Sequence, residues 1–98
     1  MATFFLMTKL SPAVTAKMKD RERIGNRWLE QVKEKCPGVK FIAHYGLLGP
    51  YDFVDIYEAP DAETAAKVSM ISLANGALQA ESWVALPYKR IVDLAGEI

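Results

Sequence analysis

The punctuation of the chain is its tightest constraint. Ser11-Pro12, Pro37-Gly38, Gly49-Pro50, Pro60-Asp61 and Asn75-Gly76 cut the 98 residues into short segments whose apolar period changes from one to the next. Thr3 to Thr8 is β-branched and aromatic and reads as a first strand. Ser11 then offers an N-cap, with Pro12 at the first helical position. From there Val14, Met18, Ile24, Trp28, Leu29 and Val32 recur mostly at intervals of three and four, the stripe of an amphipathic helix reaching about Lys35. Gly25 lies inside that helix at a cost of ~1 kcal/mol relative to alanine. It marks a kink, a close contact or a junction between two successive helices. Pro37-Gly38 ends the segment.

Val39 to Leu48 and Tyr51 to Glu58 read as a hairpin closed through Gly49-Pro50. Asp61 is placed to cap a second helix from Ala62 to about Ala74, with Glu63 in the first turn where the dipole favours an anion. Asn75-Gly76 stops it. Leu78 to Leu86 is a fourth strand, and Pro87 opens a short tail helix carrying Ile91, Val92 and Leu94. The order β-α-β-β-α-β plus a tail predicts an α+β, ferredoxin-like domain spanning residues 1–98. Right-handed crossovers put both helices on one face of one sheet.

The other face then decides the assembly. In the third strand Val54 and Ile56 point one way, and Phe53, Asp55 and Tyr57 the other. The aliphatic pair is expected under the helices, leaving the aromatic, amphipathic set on the open face. An apolar sheet face of that size is seldom left bare on a monomer. The expectation is a homodimer paired sheet to sheet, with a shared interior between the sheets. Higher oligomers through the second strand or the tail are the further option.

Composition narrows the functional classes. The chain is 51% apolar and 24% charged, too hydrophobic for disorder, and no run approaches the ~20 apolar residues of a membrane span. The first residues do not read as a signal peptide, and one cysteine, Cys36, allows no disulfide within the chain, so a cytoplasmic location is expected. Twelve basic against twelve acidic residues argue against nucleic acid as a partner. Charge is nonetheless uneven. Lys17, Lys19, Arg21, Arg23 and Arg27 crowd the first helix, while residues 52–63 hold acids and neither Lys nor Arg. The basic run reads as a solvated helix face with local salt bridges. One His and one Cys cannot build a structural zinc site, no phosphate-binding glycine loop is present, and Cys36 at a helix C-terminus is not poised as a thiolate. No metal and no cofactor are expected.

Gly49-Pro50-Tyr51-Asp52-Phe53-Val54, followed by Glu58-Ala59-Pro60-Asp61 and the alanine-rich second helix, resembles the GYD family of small bacterial and archaeal proteins. Leu47 to Ala66 carries the specific match, although Pro50 interrupts the Gly-Tyr-Asp run. The resemblance implies a dimeric α+β barrel built from ferredoxin-like halves, and implies no reaction. Effector-binding domains of leucine-responsive regulators, cofactor-free monooxygenases and haem-binding proteins are similar at the level of fold alone. The run also has a local reading: Gly49-Pro50 sets a turn, and Asp52 accepts hydrogen bonds from backbone donors near it.

A two-residue turn at Gly49-Pro50 sets Leu48 opposite Tyr51, His44 opposite Asp55 and Ile42 opposite Tyr57. A carboxylate orienting an imidazole fixes its tautomer and raises its basicity. Phe53, Tyr57 and Trp83 add an aromatic wall suited to a flat organic ligand. The favoured function is small-molecule binding in or beside the interior between sheets. The alternatives are a cofactor-independent enzyme, monooxygenase- or isomerase-like, using His44 and Asp55, and a purely structural module in which the pair only fixes register.

Overall fold

The computed structural model describes residues 1–16 and 18–98, so the share of the basic run that falls on Lys17 lies outside the described residues. The elements are β1 (Ala2–Leu10), α1 (Pro12–Thr15), a short 3₁₀ turn (Met18–Asp20), α2 (Arg21–Lys35), β2 (Lys40–Gly46), β3 (Phe53–Ala59), α3 (Ala62–Ala74), β4 (Ala77–Ala85) and α4 (Tyr88–Ala95). All strand pairs are antiparallel, in the order β2-β3-β1-β4. This is the ferredoxin-like arrangement expected from the element order.

Capping sets the helix starts. Ser11 Oγ accepts from Val14 N at 3.4 Å, opening α1, and Asp61 Oδ1 accepts from Thr64 N at 2.8 Å and from Thr64 Oγ1 at 2.7 Å, opening α3. Gly76, just beyond α3, has φ +100° and would bring a Cβ within 2.7 Å of Val14 Cγ2, so that turn needs glycine. The single long helix expected from Pro12 to Lys35 is instead α1, the 3₁₀ turn and α2. The interruption lies before Arg21, and Gly25 sits inside the continuous α2. A stripe with three- and four-residue intervals is compatible with a short break, because the apolar positions on either side still meet one core.

The sheet faces are the reverse of the sequence expectation. Tyr57 is fully buried and packs with Val32 within α2 and Cys36 just after it, and with Ala65 and Val68 of α3. Phe4 and Leu6 of β1 share that core, Phe4 stacking on Tyr57 at 5.5 Å between ring centroids. Phe53, Asp55 and Tyr57 therefore lie beneath the helices, and Val54 and Ile56 on the open face. The physical reason is volume: the covering positions Cys36, Ala65 and Val68 are small, and large rings fill the space beneath them. A hydrogen-bonded chain satisfies the phenol, Tyr57 Oη to Ser82 Oγ at 2.8 Å and Ser82 Oγ to Ser69 Oγ at 2.7 Å.

The open face carries Phe5 between Ile56 and Trp83, and Tyr45 opposite Val54. Trp83 is 46% exposed. α4 buries no side chain and leaves Ile91 and Val92 half exposed. Among the described residues no helix is long and apolar enough to cross a membrane.

Candidate functional site

The β2–β3 hairpin brings His44 directly opposite Asp55. The turn is longer than two residues: strand pairing ends at Gly46 and Phe53, and Leu47 N bonds to Asp52 O at 2.8 Å. The two-residue reading still reaches the right partner because both strands lose equal numbers of residues to the loop. Farther along, a bulge between Phe41 and Ala43 inserts Ile42, so Phe41, and not Ile42, faces Tyr57. Asp52 does accept a backbone bond, but from β1: its Oδ2 takes Leu10 N at 2.7 Å, while Asp52 N donates to Thr8 O at 2.8 Å. That carboxylate satisfies the end of β1, where its register with β4 shifts between Lys9 and Leu10.

His44 Nδ1 and Asp55 Oδ1 are 2.5 Å apart. The imidazole side chain is 64% exposed and the carboxylate side chain 5% exposed. Burial holds the Asp55 carboxyl above its ordinary range, against the opposing charge and hydrogen bond of His44. With Asp55 ionised, Nδ1 carries the proton it donates, which leaves Nε2 as a free basic nitrogen. Such a dyad can hold a ligand or move a proton.

Above the dyad lies a cavity of about 760 Å³ between α2 and the sheet. Thr8, Phe41, His44, Phe53 and Asp55 line it from the strands, and Ile24, Gly25, Trp28 and Leu29 from α2. Trp28 meets Phe41 edge to face at 5.5 Å. Three buried polar atoms in the lining residues, Thr8 Oγ1, Trp28 Nε1 and Asp55 Oδ2, make no hydrogen bond among the described residues. Unpaired buried polar groups are costly, so their grouping in residues around one cavity makes it the candidate site.

Of the residues singled out from sequence, His44, Asp55 and Phe53 meet at this cavity. Tyr57 lies on the same face but in the closed core, where it supports the site without being accessible. Trp83 is on the opposite face. There its Nε1 donates to Glu81 Oε1 at 3.0 Å, Tyr51 Oη donates to Glu81 Oε2 at 2.8 Å, and the two rings meet edge to face at 5.8 Å. These bonds hold the Glu81 carboxyl below its ordinary range. An interior between two sheets is therefore not where the dyad lies. Sequence reasoning missed Thr8, Trp28 and Phe41 as site residues, because each continues an apolar or β-branched pattern that reads as core; the large Trp28 one turn from a helical glycine is the signal that was available.

Fold and cavity together define a ferredoxin-like α+β domain with a helix-roofed pocket. The GYD domain model matches residues 4–95, and the chain belongs to the GYD domain family. It is 32% identical over 93 residues to a protein of Thermus thermophilus named glutamine synthetase and cystathionine beta-lyase binding protein, a match covering 94% of this chain and 96% of that protein. Among solved structures it is similar to the crystal structure of FFRP-DM1, with a TM-score of 0.57 and 16% identity over 88% of this chain and 100% of that one, a likeness of fold alone.

Proposed function

We propose that the protein is a homodimeric small-molecule-binding protein whose ligand occupies the cavity between α2 and the sheet. The observation that carries this reading is the pair of nearly fully buried residues, Asp55 and Thr8, which both line one apolar cavity and each hold a buried oxygen without a hydrogen-bond partner among the described residues. Apolar walls with a few convergent polar groups are the usual composition of a ligand site. The open sheet face, with Phe5, Tyr45, Ile56 and Trp83, is the surface through which two copies pair. Native mass spectrometry of gently purified protein tests both parts. Twice the chain mass with a discrete addition is the expected result, and the addition is lost on Trp28→Ala. A chain that neither retains a ligand nor is stabilised by any member of a metabolite library overturns the binding reading.

A second reading comes from the Thermus thermophilus relative, whose name makes two enzymes its partners. Its match runs nearly end to end, which favours a protein partner for this chain as well. The half-exposed apolar side of α4 suits such docking. Loss of co-purifying enzyme on Ile91→Asp, with the fold retained, is the outcome that supports it.

A further inference from the structure

We infer that the ligand of the cavity is a hydrophobic amine, an aromatic or branched aliphatic body carrying a protonated nitrogen. The inference rests on the binding reading above and adds the chemical class. The body follows from the walls: Ile24, Trp28 and Leu29 on one side, and Phe41 and Phe53 on the other, offer apolar surface with aromatic faces. Aromatic faces also favour a nearby cation.

The head follows from the polar groups. Asp55 spends Oδ1 on His44 and has Oδ2 unpaired, so the carboxylate has capacity for another donor. With its proton on Nδ1, His44 presents Nε2 as a second acceptor. Thr8 donates or accepts as required. His44 is the only hydrogen-bond partner of the Asp55 carboxylate among the described residues, and its ring is mostly exposed; the inference requires that ring to turn aside so that the ligand reaches the carboxylate. Arg21 and Glu22, the charged residues of α2 that line the cavity, carry opposite charges and give that wall no net charge. A ligand carboxylate would gain the neutral Trp28 Nε1–H and lie against the Asp55 charge. An ammonium gains charge-assisted bonds instead.

Three compounds with one ring and one spacer separate these cases: phenethylamine, phenethyl alcohol and phenylpropionate. Calorimetric titration of the full chain at neutral pH is expected to rank the amine about tenfold tighter than the alcohol, the difference one charge-assisted bond makes, with the acid weakest. Asp55→Asn lowers the amine to the affinity of the alcohol, and Trp28→Leu weakens all three. If the alcohol binds and the amine shows no preference, or the acid equals the amine, the amine inference falls while the cavity reading stands. If none of the three binds, the amine inference falls, and the native mass spectrum and library test above decide the cavity reading. The ranking on the unmodified chain decides the matter even where Asp55→Asn does not fold.

Discussion

Asp55 and Tyr57 are neighbours on one face of β3 and carry opposite obligations. Burial raises the Asp55 carboxyl, so between the unfolded value of ~3.9 and the higher folded one the native chain holds a proton that the unfolded chain has released. The contribution of this group to stability is therefore greatest below the unfolded value and declines as pH rises to the folded one. Asp55→Asn removes the titration and keeps an oxygen for the His44 Nδ1–H. Urea titrations across the acid range are expected to show the variant gaining on the unmodified chain as pH rises; a variant that loses ground, or stays parallel, as pH rises would sink the assignment. Tyr57 has a different task. Its hydroxyl is bonded to Ser82, which also reaches Ser69 and the Ala65 carbonyl, so Tyr57→Phe leaves Ser82 with partners and is expected to cost about 1 kcal/mol. The same change is expected to leave cavity affinity in place, since the ring stays in the core. The His44–Asp55 pairing was legible in the sequence because an antiparallel ladder preserves its register through any loop that shortens both strands equally. The Phe41–Tyr57 pairing was not, because nothing in Lys40-Phe41-Ile42-Ala43 announces a bulge.

At the scale of elements, α2 explains the cost of its own glycine. Gly25 lies within a continuous helix, has no heavy atom of the described residues outside its neighbours and its own helix backbone within 4 Å of where a Cβ would stand, and lines the cavity. Of the three sequence readings, the junction does not fall at Gly25 and no close contact is found there among the described residues; the position instead faces open space beside the candidate site. Gly25→Ala is expected to stabilise the chain by about 0.5–1 kcal/mol, seen as a higher urea midpoint at unchanged slope. Gly25→Leu carries a similar helical gain but puts a branched side chain at the cavity edge, and is expected to lower ligand affinity while raising stability. Equal affinity in both variants would show that the glycine does not shape access. The strands, α3, α4 and the caps of this fold were readable because each has a local cause, Asp61 before α3 and Pro37-Gly38 after α2 among them, whereas the break before Arg21 was hidden by a stripe that continues across it. Which face of β3 meets the helices was not readable from β3. Alternation separates Val54 and Ile56 from Phe53, Asp55 and Tyr57, but the choice between the two sets depends on the small residues of α2 and α3 across the core.

On the scale of the whole molecule, the sheet separates two surfaces of different character, for which different uses are proposed. The cavity and its dyad lie on the helical side, and Phe5, Tyr45, Ile56 and Trp83 on the other. Trp83 contributes its exposed ring to the open face and its Nε1 to Glu81, and it has no place in the buried core. Trp83→Arg therefore tests the assembly without dismantling the protomer. Near the axis of a face-to-face pair the substitution sets a guanidinium and its symmetry mate in an apolar contact, where unpaired charge is strongly disfavoured. The expected outcome is a shift from dimer to monomer in native mass spectra and light scattering, with the far-ultraviolet circular dichroism unchanged. The concentration dependence of thermal unfolding that marks a dimer is expected to disappear with it. Ligand affinity per chain is expected to stay within about twofold, the spread usual for sites that share no partners. A variant that remains dimeric would move the interface off this sheet face, and one that becomes monomeric and also loses the ligand would mean that the helix-side cavity depends on the second copy for its shape.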